Sequence, residues 1–487
     1  MSRSRIYLLL EVLLLACTSC ATIFAVISAV RRAAVVYQVD FEEGNIVNAG
    51  LRITQGLTPY PDPHAFPNAL NPYGPIPYLA VAALVKLAGV GFLYPRLLVL
   101  LSVLTITALI ALVIEGEYRS WLLALAMAAA YPTIFFVQSW SAILRVDAPG
   151  IVLSLGGLVL CQRWRGRWPW AASLMAAALF VKCTLLAAPA ACLADLVLRR
   201  EWKRAAGFAG LLAGICGVLF AATQWWSGGY FAFHTFGTHA DPFSWDHYRK
   251  FADPILPYTP HLAFPVLCYV GVMAAHRRIT LPLLYLTCSA ALTVTLGKLG
   301  SNSNQLLEVM AALTICAGLG LAALRDQVKP WALGLAGMLV AAVLVVNFAT
   351  RVQPWRKLVA PAMNCGSAYR AVQLHGEWVL SESIGPMLLA HKPVFVSNPF
   401  VYRYLVTERG WSDAPLQTAI REKKFDLILL EHTLSESQAV GAERWSPGVV
   451  NAIAENYHVV GYFPCQDAFM ALEPTRIAAA PAAAGGS

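Results

Sequence analysis

The stretch WAASLMAAALFVKCTLLAAPAACLADLVL, residues 170–198, runs between two basic clusters, Arg163/Arg165/Arg167 and Arg199/Arg200/Lys203/Arg204, and its reading decides the fold. A membrane helix needs about 20 mainly apolar residues, and short loops rich in Lys and Arg stay on the cytoplasmic side. Both ends of the run therefore lie inside, and an even number of crossings must separate them. The run predicts a hairpin of two short helices with its turn near Lys182.

The same rule orders the rest of the chain. The residues are 58% hydrophobic and 13% charged, against roughly 25% charge in a soluble domain, so this is a membrane chain. Its net charge of +9 is the excess that anchors membrane segments. No basic run is interleaved with aromatics, which sets nucleic acid aside. Arg119, Arg277/Arg278 and Arg325/Lys329 join the inside clusters. Apolar runs lie at 6–30 and near 76–90, 97–114, 121–137, 148–161, 207–226, 258–275, 280–296, 306–324 and 330–349. In the first, Leu14-Leu15-Ala16-Cys17 resembles a lipoprotein cleavage box, but the apolar run continues past Cys17 and reads as a retained helix. The run 76–90 is short and follows Asn71-Pro72-Tyr73-Gly74-Pro75; as a full span it would put every later basic loop outside, so it reads as a re-entrant or interfacial helix. Arg31, Arg32 and Arg52 then stand outside against the rule, barely balanced by Arg3 and Arg5.

These readings give a polytopic α-helical membrane protein of about 11 spans with its N-terminus inside. Residues 1–349 form the membrane domain, and segments 31–95, 138–147, 227–257 and 297–305 face outward. Residues 350–477 read as a small extracytoplasmic α/β domain with strand-like runs Trp378–Ser381, Val394–Ser397 and Phe425–Leu430. The tail Ala478–Ser487 is low-complexity and reads as disordered. There is no internal repeat and no inverted pair of broken helices. Nine of the 11 cysteines fall in or beside apolar runs, Cys17-x-x-Cys20 among them, as small hydrophobes. Cys365 and Cys465 alone lie in the outer domain; an oxidising compartment permits their pairing, and the sequence leaves it open.

Ionisable residues within a membrane are costly and need partners or a purpose. The outward side has four such groups. Asp40-Phe41-Glu42-Glu43-Gly44 follows the first helix, and its carboxylates can supply a general base or bind a cation. Arg145-Val146-Asp147 enters the run 148–161, and Lys182 sits at the hairpin turn. Gly297-Lys298-Leu299-Gly300-Ser301-Asn302-Ser303-Asn304-Gln305-Leu306-Leu307-Glu308 packs a cation, hydroxyls, amides and an acid between two spans. Lysine offers a point charge to phosphate, while amides and hydroxyls can bond phosphate or sugar. The ordinary alternatives are a solvated juxtamembrane run, a helix cap or local ion pair, a snorkelling lysine and a simple loop. His234, His239, Asp241, Asp246, His247 and Asp253 in 227–257 match no closed zinc spacing, and that segment reads as a mobile solvated loop.

In their order these features resemble the C-type glycosyltransferase superfamily over roughly residues 6–350, especially membrane enzymes related to dolichyl-phosphate-mannose protein mannosyltransferases and aminoarabinose transferases. The matching positions are Asp40, Glu43-Gly44, Gly56, Tyr60, Pro67 and Tyr73-Gly74-Pro75, then Arg145-x-Asp147, then Lys298, Gly300, Ser301, Asn304 and Glu308. Gln305 departs from the pattern, since relatives often carry Tyr there.

The resemblance implies a polyprenyl-phosphate-linked monosaccharide donor and transfer to a glycan, lipid or protein acceptor at the outer face of the cytoplasmic (inner) membrane. Asp40 is then the expected base, with Glu43 the next candidate. Lys182, Lys298, Ser301 and Asn304 are the expected donor-phosphate ligands, and Arg145, Asp147, Glu308 and Tyr73 complete the expected site. An acceptor attacking in a single displacement would invert the anomeric centre. The resemblance leaves open a divalent cation between Asp40 and Asp147. A lipid or sugar transporter or flippase is the competing class; it predicts charges spread over several helices at mid-membrane, whereas here they gather on one side. A non-catalytic relative whose outer domain binds a partner is a third reading.

Overall fold

The run at 170–198 breaks where its lysine sits. Helices Trp168–Leu179 and Ala187–Leu198 flank an irregular turn carrying Lys182 in the computed structural model, which describes residues 3–239, 242–327, 337, 339–346, 350, 364–431, 444–465 and 468–475. The helical part runs in order through Arg3–Ala33, Phe41–Thr54, Pro75–Ala88, Leu93–Tyr118, Trp121–Ala128, Phe135–Trp140 and Asp147–Arg163, then the two hairpin helices. It continues through Trp202–Trp226, three short helices between Phe231 and Tyr258, Pro260–Ala275, Leu281–Leu292 and Leu307–Gln327.

Among the described residues, four helices are long and apolar enough to cross a membrane: Glu11–Ala33, Leu93–Tyr118, Trp202–Trp226 and Ser303–Leu324. The pair Trp245–Tyr258 and Pro260–Ala275, bent by 85°, makes a fifth if counted as one span. Eleven spans are therefore not reached by helix length among the described residues, and part of the run 330–349 lies outside them. The physical reason is visible at Trp121–Ala128. Its residues Ala124, Ala126 and Met127 are fully enclosed by neighbouring helices, so apolar composition there serves the protein interior. Ser303–Leu324 is 89% buried and forms the centre, whereas Trp202–Trp226, 11% buried, runs along the outside. Pro75–Ala88 starts on proline and stops at Gly89. Its 14 residues span about 21 Å, short of the roughly 30 Å hydrocarbon core.

Arg32 explains one exception to the charge rule. It is 1% exposed and donates to the carbonyls of Gln138 and Ser139 at 2.9 and 2.5 Å. It pins the first helix to the segment before Arg145. Arg52 similarly donates to the carbonyl of Thr58 at 3.1 Å.

After residue 364 the chain builds a four-stranded sheet: β1 (Val379–Ser381), β2 (Leu427–Leu430), β3 (Tyr457–Phe463) and β4 (Phe469–Pro474), in the order β1-β2-β4-β3. β1 and β2 are parallel and the other pairs antiparallel. Helices Gly366–Leu374, Gly385–Leu389, Pro399–Arg409, Ala414–Arg421 and Pro447–Asn456 flank it. Val394–Ser397 is not one of its strands. It bridges to the first outer loop instead, where Asn68 N–H donates to Phe395 and Ser397 N–H donates back to Asn68, at 2.7 and 3.0 Å. Inner sheet residues Val379, Leu427 and Phe469 belong to the same continuous apolar cluster as Val39 and Ile46, and helix Gly385–Leu389 packs against helix Phe41–Thr54. Cys365 and Cys465 form a disulfide. The boundary at 349 and the tail Ala478–Ser487 lie outside the described residues.

Candidate active site

Asp40 ends an extended stretch and caps helix Phe41–Thr54, accepting from the Glu42 N–H at 3.1 Å. Glu43 closes the reciprocal half of this capping box, its Oε2 accepting from the Val39 and Asp40 N–H groups at 2.8 and 3.3 Å. The same carboxylate receives Arg96, whose Nε and Nη2 donate to Oε1 and Oε2 at 2.7 and 2.6 Å, both side chains being 0% exposed. Leu144 N–H adds a bond to Oε1 at 2.8 Å. Burial alone would raise the Glu43 carboxyl. Arg96 and the Leu144 and Val39 donors hold it below the ordinary carboxylate range.

Through Leu144, Glu43 fixes the segment that delivers Arg145. The Arg145 guanidinium lies over the Trp140 ring at 5.3 Å and donates through Nη2 to both oxygens of Asp40, at 2.7 and 2.9 Å. Its Nη1 reaches the Tyr73 hydroxyl at 3.5 Å. Tyr73 is held by its neighbour: a side chain on Gly74 would collide with the Phe180 carbonyl, and this close approach, with Gly74 N–H donating to Val181 at 3.3 Å, sets the loop against the Lys182 turn.

Asp147 opens helix Asp147–Arg163 and is 3% exposed. Lys182 Nζ donates to its Oδ1 at 2.7 Å and Asn304 Nδ2 to its Oδ2 at 2.6 Å. A buried acid thus aligns a cation from the hairpin turn with an amide from the segment 297–308. That segment turns at Gly300, whose φ of +85° favours glycine. Ser301 Oγ donates to the Thr295 carbonyl at 3.0 Å, and Gln305 bridges Thr295 and Ser301. The departure from tyrosine at Gln305 therefore leaves a residue that braces the turn.

These pieces enclose two cavities that meet at Arg145 and residues 299–302. The smaller, about 240 Å³, is lined by Tyr73, Arg145, Lys182, Lys298, Ser301 and Asn304, together with threonines and amides; it has three cations and no carboxylate on its wall. The larger, about 750 Å³, has Asp40, Glu42 and Arg145 on one side and residues of the C-terminal sheet region on the other. Burial pushes the Glu42 carboxyl up.

Six predicted residues thus share the small cavity, Asp40 faces the large one, and Asp147 stands directly behind Lys182. Glu43 and Glu308 line neither cavity. Glu43 is consumed by structural bonds, and Glu308, 7% exposed, faces Ser154 and Tyr285 at 3.3 and 3.4 Å. Asp40 and Asp147 each engage a cation, and the described residues contain no cluster of three or more His, Cys, Asp or Glu, so this donor set does not fit a divalent ion. The segment 227–257 is mostly helical rather than a loop. His234 is buried, accepting at Nδ1 from Asn71 N–H and donating from Nε2 to the Pro61 carbonyl; burial lowers its pKa to about 4. His247 lies on the large cavity, with Nε2 3.2 Å from the Ser301 carbonyl. Asp241 and the His239 side chain lie outside the described residues. The sequence did not reveal Arg96 or the cavity wall from Arg403, Glu431 and Arg444.

No protein-family model and no curated sequence matches the chain. Solved structures do match it. ArnT from Cupriavidus metallidurans bound to undecaprenyl phosphate aligns with TM-score 0.64 and 12% identity over 95% of this chain and 99% of that one. Its apo state gives 0.63 and 13% over 97% and 98%. The Archaeoglobus fulgidus oligosaccharyltransferase in the apo form gives 0.51 and 10% over 91% and 73%. The chain therefore shares the fold of these two transferases over nearly its whole length.

Proposed function

We propose that the protein is a glycosyltransferase that moves a monosaccharide from a polyprenyl-phosphate donor to an acceptor at the outer face of the cytoplasmic membrane. One observation carries the reading. Two cavities meet at Arg145, one with three cations and no acid on its wall, the other with Asp40 at the junction. The ArnT structure with undecaprenyl phosphate supports the same donor class, since that protein shares this fold.

The acid-free cavity takes the phosphate. Lys182, held by Asp147, and Lys298 supply charge, and Ser301 and Asn304 supply polar contacts. Asp40 stands across Arg145 from the phosphate. The acceptor oxygen attacks the anomeric carbon, the carbon–phosphate-oxygen bond breaks, its electron pair stays on the phosphate, and the acceptor proton passes to Asp40. A single displacement inverts the centre. Arg145 bonds both Asp40 oxygens and holds the base at the junction of the two cavities. Glu43 is a positioning residue. The C-terminal sheet lies outside the membrane with the outer loop it packs on.

Asp40→Asn tests the base. Asparagine caps helices about as well as aspartate, so the helix is preserved while the base is lost. Transfer from a polyprenyl-phosphate sugar should fall roughly 10²–10⁴-fold with undecaprenyl phosphate affinity retained. Wild-type transfer by this variant would remove Asp40 from the chemistry.

A further inference from the structure

We infer that the large cavity receives an uncharged, polyhydroxylated acceptor, a neutral glycan, read by Glu42 from the outer loop and Arg403 from the C-terminal region. The inference rests on the donor-and-base reading above and names the substrate class of its acceptor side.

The cavity holds about 750 Å³, within the usual range of roughly 300–1,000 Å³ for small-ligand sites. Its far wall comes from the carboxyl ends of β1 and β2, the parallel pair: Ser383 follows β1 and Glu431 follows β2 directly. Crevices at the carboxyl ends of parallel strands are where open α/β sheets bind ligands.

The charge on this wall cancels. Asp40 pairs with Arg145, and Glu431 with Arg444 at 3.1 Å. The rest is Glu42 and Glu408 against Lys250 and Arg403. A polyanionic acceptor finds no surplus cation here and a polycationic one no surplus acid.

Hydrogen-bonding capacity does not cancel. The cavity wall sets acceptors beside donors, the Glu42 and Glu408 carboxylates with the Arg403 guanidinium and the hydroxyls of Ser383, Tyr404 and Thr407. Such a wall matches a ligand whose groups do both. Hydroxyls do so, whereas a carboxylate only accepts and an ammonium only donates.

The test uses the full chain in lipid nanodiscs, labelled and applied to an array of neutral, uronate-containing, sialylated and phosphorylated glycans, with undecaprenyl phosphate affinity measured in parallel. Neutral glycans should be retained in preference to charged ones, and Arg403→Gln and Glu42→Gln should each weaken that retention at least tenfold with undecaprenyl phosphate affinity unchanged. Preference for charged glycans, retention of no neutral glycan, or equal retention by wild type and both variants would overturn the inference. Retention of neutral glycans that both variants lose, without undecaprenyl phosphate binding, would overturn the donor reading and leave the acceptor class standing.

Discussion

Glu43→Gln separates a catalytic carboxylate from a structural one. The substitution keeps the shape of the side chain and changes one oxygen to an NH₂ group. In the native site Oε2 accepts from Val39, Asp40 and Arg96, and Oε1 from Arg96 and Leu144. Whichever way the amide turns, its NH₂ faces donors only, and Arg96 keeps its charge at 0% exposure. Removing one partner of a buried ion pair costs about 3–5 kcal/mol, which at about 2 °C per kcal/mol for a large chain lowers the thermal midpoint by about 6–10 °C. Replacing both partners by apolar residues, as in Glu43→Leu with Arg96→Met, should recover much of this loss, since no buried charge is left alone. The pH dependence has a definite sign. The Glu43 pKa is depressed in the fold, so its contribution is present above the unfolded carboxylate range and is lost as pH falls through the folded value. The wild type should lose midpoint in that acid range and Glu43→Gln should lose less. Thermal unfolding of the detergent-solubilised chain, with tryptophan fluorescence as the signal, reads all of these. A Glu43→Gln protein with an unchanged midpoint and no transfer activity would refute the reasoning and return Glu43 to the chemistry.

Lys298→Met should weaken undecaprenyl phosphate binding roughly 10- to 100-fold, the worth of one charge-assisted bond; Lys182→Met should weaken it further because it also leaves Asp147 unpaired behind the phosphate. Equal affinities in wild type and both variants, by ligand-induced thermal shift, would displace the phosphate from this cavity. Cys465→Ser should destabilise the C-terminal region by about 2–4 kcal/mol, seen as earlier proteolysis, and an unchanged digestion course would mean the bridge contributes nothing. Burial, and next the nearby Glu431, raise the Glu382 carboxyl to about 8. The folded state then binds the extra proton, so stability falls as pH rises from about 4.5 to 8, and Glu382→Gln should flatten that fall in a midpoint-against-pH series.

What could be read from residues depended on how local the evidence was. The break at Lys182 was legible because basic clusters bracket a run of known length. The segment 297–308 stood out because hydroxyls and amides crowd between two apolar runs. Arg96 was illegible: it sits at the edge of an apolar run, and its partner Glu43 is 53 positions away. Spacing gives Glu308 its place along a helix, while only packing decides that it faces Ser154 and Tyr285. Val394–Ser397 has strand composition, but its partner is Asn68 of a distant loop. β3 escaped because its outward residues are exposed and mixed. The crevice could not be foreseen, since Arg403 and Asp40 meet only through tertiary packing.

The disulfide gives the C-terminal region an unusual attachment. Cys365 and Cys465 are 100 residues apart, with Cα atoms 4.3 Å from one another. The ring so closed carries β1, β2 and β3 and ends in the turn before β4, so the bridge ties the start of helix Gly366–Leu374 to the β3–β4 hairpin. Only the face carrying Val379, Leu427 and Phe469 must match the helices beneath, while the rim with Arg403 and Arg444 is free to vary. Under the proposed function, acceptor choice can thus diverge while the residues around Lys182 and Lys298 stay constant.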